Sequence, residues 1–118
     1  MENEEHKMRI VQELVPGKQV TIAHIIANPD ESLYQTVGLG DCNSGAIGII
    51  TMSPAEAAVI AGDIGIKAAG VKIGHMSYHE NGTLIITGSV SEVQSALNAI
   101  LDYCRTKLTF EVCDITKT

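Results

Sequence analysis

The side chains best able to do chemistry in this chain are four histidines and three cysteines, and their spacing decides how far each can go. His75 and His79 stand four residues apart, a separation that on a helix makes a metal-binding pair. Here they fall on a strand, so they point differently from a helical pair, and no cysteine is adjacent in sequence. His24 lies within an apolar strand, the setting of a hydrogen-bonded core or interface histidine rather than a catalytic base. Cys104 sits on the apolar stripe of a helix and reads as a small hydrophobe, and Cys42 differs only in lying on a loop. Gly38-Leu39-Gly40 and Gly45-Ala46-Ile47-Gly48 suggest a phosphate cradle, but their spacing fits neither the dinucleotide fingerprint nor the lysine-bearing phosphate loop. Nowhere does the sequence group a nucleophile with a base and an orienting acid, so no catalysis, cofactor or metal is expected.

Composition narrows the partners. At 118 residues and 45% hydrophobic, the chain is long enough for one core and too short for two. A formal net charge of -6 argues against nucleic acid and against anionic membrane, both of which need clustered Lys and Arg. Aromatic residues make up 3% of the chain, too few for platforms on which bases or sugars stack. The odd, irregularly spaced Cys42, Cys104 and Cys113, and the lack of a cleavable apolar signal, imply a reducing, cytosolic setting. No window reaches the ~20 apolar residues that a bilayer demands.

The elements that position these residues centre on Gly45 to Gly74. Ala46 to Thr51 reads as a buried strand. Ser53, Pro54 and Glu56 carry the grammar of a helix start, and Ala57, Ile60, Ala61, Ile64 and Ala68 recur at helical spacing up to Gly70. Gly62 and Gly65 inside that helix imply close packing, against either a neighbouring subunit or the chain's own core. Before this unit, Met1 to Lys7 reads as a tail, Met8 to Val15 as an alternating strand and Gln19 to Ala27 as a better one. Asn28 caps a short helix to about Val37, and Gly38 to Gly45 is a loop. After it, Lys72 to Tyr78 and Thr83 to Thr87 form a hairpin through Asn81-Gly82. Ser91, with Gln94 as partner, starts a helix whose stripe runs Val93, Ala96, Leu97, Ile100, Leu101, Cys104, Leu108. Phe110 to Ile115 reads as a short terminal strand, and Thr116 to Thr118 as loose.

From Ala46 the order is therefore strand, helix, strand, strand, helix, with the strand at Val20 free to complete a four-stranded antiparallel sheet. That predicts an α+β, ferredoxin-like sandwich in which the completing strand arrives from the N-terminal side, a circular permutation. One sheet face takes the helices, and the other needs water or a partner subunit.

VPGKQVTIAHIIANP, GAIGIIT, SPAEA and DIGIKAAGVKIG together resemble the bacterial microcompartment shell proteins. The likeness is to the single-domain, circularly permuted type of ethanolamine-, propanediol- and choline-utilisation compartments, and it runs from about Met8 to Thr118. It implies a non-enzymatic structural protein of a compartment in the cytoplasm, assembling as a homohexamer that tiles with other shell proteins around encapsulated enzymes, with choline or ethanolamine degradation favoured. The resemblance matches Lys67 to the family's lysine at the edge between hexamers. It matches Met8 to Val15, with Met8, Ile10, Gln12 and Leu14 on one side, to a strand whose six copies form a small barrel on the hexamer axis. It also matches Gly45 to a glycine associated with hexamers that are not flat. The expected division is then residues 1–17 as tail and axial strand, and 18–118 as the permuted domain. The alternative is an oligomeric regulatory domain of the same sandwich class that binds a small molecule.

Overall fold

In the computed structural model, which describes residues 17–40 and 44–118, the first element is strand β1, Gln19–Ala27. Its residues alternate between two environments: Val20, Ala23 and Ile25 are buried, whereas Ile22 is 49% exposed. A register shift between Val20 and Ile22 keeps that alternation in step with β2, Ala46–Ser53, which pairs antiparallel with β1 from Gln19↔Ser53 to Ala27↔Ala46. Between them lies a short helix, α1, Glu31–Thr36. The chain continues through α2 (Ala57–Ala68), β3 (Lys72–Ser77), β4 (Gly82–Gly88) and α3 (Val90–Thr106). It ends in two short strands, β5 (Glu111–Val112) and β6 (Thr116–Lys117), both parallel to β1.

The sheet order is β3-β4-β2-β1-β5, with β6 also on β1. Counted from β2, this is the ferredoxin-like order, and β1 supplies the outer strand that normally follows the last helix. The predicted permuted α+β sandwich is what forms. Met1 to Val15, and with it the expected axial strand, lies outside the described residues, as does Cys42.

Both long helices cover one sheet face. In α3 the predicted stripe is the buried one, Val93, Ala96, Leu97, Ile100, Leu101 and Cys104, with Leu108 partly buried against the same core. Each Val, Leu or Ile among them contributes roughly 1.5–3 kcal/mol gross, before the entropy of ordering is subtracted. In α2 the predicted face is rotated: Ala57, Ala58, Ala61, Gly62 and Gly65 are buried, while Ile60 is 44% exposed. The small face lets the helix approach side chains that rise from the sheet and from α3. A Cβ added at Gly62 would stand 2.6 Å from Met76 Cε, and one at Gly65 would stand 3.4 Å from Ile100 Cδ1. The two glycines thus receive their own subunit's core.

Local helix signals need three corrections. β2 runs through Ser53, which pairs with Gln19, so this serine does not cap a helix. The chain instead turns through a cis Ser53–Pro54 peptide, and α2 starts at Ala57 after Glu56, without a side-chain cap. Ser89, not Ser91, caps α3, its hydroxyl accepting from Glu92 N at 3.1 Å and its amide donating to Glu92 Oε1 at 2.9 Å. Two overlapping capping frames exist here, and the end of β4 at Gly88 selects the earlier. Asp30 rather than Asn28 caps α1: its carboxylate accepts from the Ser32 amide and hydroxyl, which hold its pKa below the ordinary value.

The β3–β4 hairpin forms, but not through a tight Asn81-Gly82 turn. Residues 78–81 connect the strands, with the left-handed residue at Glu80 (φ 47°). Gly82 is required for another reason: a Cβ there would lie 2.8 Å from the Ala55 carbonyl oxygen and 2.9 Å from that of Met52. At the C-terminus the expected strand at Phe110 to Ile115 shortens to β5, and the expected loose end forms β6. The free edge of β1 explains this, since its unpaired backbone groups take up Thr118, whose N–H donates to Ile25 O at 2.9 Å.

Candidate functional site

Helix α2 turns its second face to solvent. Ile60, Asp63, Ile64 and Lys67 recur along it at three- and four-residue spacing and, with Ala68 and Tyr103 of α3, line a groove of about 360 Å³. Lys67 Nζ lies 2.9 Å from Asp63 Oδ2, with side chains 76% and 60% exposed. Lys67 is in the last turn of α2, where a cation also meets the negative end of the helix dipole. Ile60 and Tyr103 remain 44% and 40% exposed. Apolar surface around a paired cation and anion suits a contact, with the lysine stem able to cover neighbouring carbon while its charge stays wet.

The second surface is the sheet face away from the helices. Alternation puts Ile22, His24 and Ile26 of β1, Ile49 of β2 and Ile85 of β4 there, with His24 opposite Ile49 and Ile49 opposite Ile85. Leu39, just after α1, lies against Gly74 and covers one corner. Elsewhere Ile22 is exposed, and Ile26, Ile49 and Ile85 are partly so. Thr21 and Thr51, their hydroxyls 2.7 Å apart, join β1 to β2 on this surface.

Gly45 stands at the entry to β2 with φ 107°, and its carbonyl accepts from Asn28 N at 2.8 Å. Only glycine takes that angle without strain. Met8, Ile10, Gln12 and Leu14 lie outside the described residues.

His24 is the hydrogen-bonded strand histidine expected, with Nδ1 2.6 Å from Thr116 Oγ1 and Nε2 2.9 Å from Thr118 Oγ1. It holds β6 to the sheet edge. His75 is on β3, whereas His79 lies beyond its end, its ring centroid 4.6 Å from that of Tyr78. Among the described residues no three His, Cys, Asp or Glu come together. Burial pushes the Cys104 thiol up, and it does the same for Cys113, helped by the Asp114 charge; neither is an activated nucleophile. A second groove, between α3 and the C-terminal segment, is lined by Gln94, Asn98, Asp102, Arg105 and Asp114 among others. Among the described residues, no helix is long and apolar enough to cross a membrane.

Sequence reasoning singled out Lys67 but not its surroundings. The Asp63 pair was legible in the i−4 spacing. Tyr103 and Ile60 were not, because one depends on how α3 packs against α2 and the other on the rotation of α2.

Residues 46–116 match the family described as BMC domain. The chain is 48% identical over 111 residues to the bacterial microcompartment shell protein EutS of Escherichia coli (strain K12), covering 94% of this chain and 97% of that one. Among solved structures, the CutR flat hexamer (form 2) is 39% identical with a TM-score of 0.82, over 91% of this chain and 89% of that one. The CutR screw, form 1, with a 41.9 Å pitch, is 38% identical with a TM-score of 0.81, over 87% of this chain and 100% of that one.

Proposed function

The chain belongs to the BMC-domain family of bacterial microcompartment shell proteins, and from that premise we propose that six copies close into a ring and that rings tile edge to edge around enclosed enzymes. It is a structural protein of the shell, and its place is the microcompartment in the cytoplasm. Its partners are itself and other shell proteins, with the encapsulated enzymes as neighbours, and the compartment degrades choline or ethanolamine. Nucleic acid and membrane are not partners, consistent with the net charge of -6. The protein does no catalysis, a reading supported by the paired His24 and the buried Cys104.

Within this reading residues 18–118 form the tiling domain, and residues 1–17 supply the tail and the axial strand, with Met8, Ile10, Gln12 and Leu14 filling a small barrel on the ring axis. Lys67 lies at the edge between rings. Gly45 sets ring shape through its left-handed backbone, and the flat and screw forms of CutR illustrate the range of shape in a relative.

One observation carries the proposal. A single subunit leaves apolar surface on both layers, Ile22 on the sheet and Ile60 and Tyr103 on the helices, as a unit with lateral neighbours would. Electron microscopy of the purified protein tests it. Extended sheets or tubes are expected, whereas discrete small oligomers stabilised by a metabolite would favour the regulatory domain.

A further inference from the structure

We propose that Asp63 is a positioning residue for the contact between rings: it holds Lys67 ready for a second copy of the same groove and so sets the strength and salt dependence of tiling. The inference rests on the edge role of Lys67 proposed above. A free lysine on a helix surface samples many rotamers, and ordering it opposes any contact it makes. Here the Asp63 carboxylate, one turn earlier on the same face, already fixes the ammonium at 2.9 Å. It occupies one of three ammonium protons and leaves two for acceptors on an opposing surface.

Charge identifies the occupant as a second copy. The groove carries one cation and one anion side by side within a rim of Ile60, Ile64, Ala68 and Tyr103. Turned by a two-fold axis, such a surface is complementary to itself, ammonium of one copy towards carboxylate of the other. An acidic partner would meet Asp63 unfavourably, and a basic one would meet Lys67. Copies of a chain with net charge -6 repel one another overall, so a locally neutral patch is where two can approach at least electrostatic cost. The apolar rim excludes water as the surfaces close and lowers the screening around the pair.

The test compares wild type, Asp63→Asn, Asp63→Glu, Lys67→Ala and Asp63→Asn/Lys67→Ala. Native mass spectrometry reports the ring, and sedimentation reports the concentration at which sheets form, at roughly 50 mM and 0.5 M NaCl. An exposed ammonium–carboxylate contact is worth roughly twofold, and each seam brings two between copies, so Asp63→Asn should raise the sheet-forming concentration about fourfold at low salt. The ring should be unchanged, Asp63→Glu should restore tiling, and the difference should fade at high salt. In the Lys67→Ala background, Asp63→Asn should change nothing, which a role independent of Lys67 would not give. The proposal is overturned if Asp63→Asn tiles like wild type, dissociates the ring, or weakens the Lys67→Ala protein as much as it weakens wild type. If wild type forms rings but never sheets, the shell reading falls and this one falls with it; the first three outcomes leave the shell reading standing.

Discussion

Replacing each of the two glycines in α2 by alanine should change stability differently. In a helix interior Gly→Ala gains ~1 kcal/mol, because alanine has less backbone freedom to lose. At Gly65 the added methyl would sit 3.4 Å from Ile100 Cδ1 and 3.8 Å from Ala96 Cβ, ordinary contact distances, so the gain survives. At Gly62 it would sit 2.6 Å from Met76 Cε and 3.2 Å from Ile73 Cδ1, so the methionine must move. Because the atom displaced is the end of a flexible side chain, the cost falls at the low end of the roughly 1–3 kcal/mol of overpacking, enough to cancel the helix gain. Gly65→Ala should therefore raise the thermal midpoint by about 4 °C, and Gly62→Ala should leave it unchanged or lower it. The assay is thermal unfolding followed by circular dichroism at one fixed subunit concentration, since ring formation makes the midpoint concentration-dependent. Native mass spectrometry should find intact rings for both variants. A lower midpoint or a broken ring for Gly65→Ala would refute the reasoning, because it would mean that Gly65 meets a neighbouring subunit and not α3.

Gly45→Val forces a β-branched residue to φ 107° at a cost of roughly 1–3 kcal/mol, so the loop should relax and one regular ring geometry should result; electron microscopy showing an unchanged ring shape would remove that role. Deleting Met1 to Val15 should leave folded rings that still tile, with an opened axis, because the sandwich keeps its pairing from Gln19↔Ser53 onward; a deletion variant that fails to fold would assign the segment to the domain. Cys104, whose thiol is raised by burial above the ordinary 9.0, keeps its proton after the unfolded chain has lost its own. Stability should thus be flat through neutral pH and fall as pH rises above about 9, seen as a lower urea midpoint. Mass spectrometry should find the folded thiol resistant to iodoacetamide at about pH 8, and labelling of Cys104 as fast as in unfolded protein would count against the burial.

Sequence alone determined whatever depends on period and local chemistry. The stripe from Val93 to Cys104 is buried as read, because six apolar positions at helical spacing leave one way to hide them. The alternation of β1, the hydrophobic run of β2 and the order of the elements likewise specified a permuted sandwich, because few topologies accept that order. The edge role proposed for Lys67 came from the resemblance and not from its own chemistry. Tertiary structure decided everything in which two local solutions compete. Ser53 had the grammar of a cap, but pairing with Gln19 kept it in β2. Ser89 and Ser91 offered equivalent capping frames until the end of β4 chose between them. Gly82 looked like a turn residue, yet it is needed where the chain passes within contact of Ala55. The rotation of α2, which exposes Ile60 and opens the groove beside Tyr103, follows from which small residues face Met76 and Ile100, and such proximity across elements distant in sequence leaves no trace in the spacing of either.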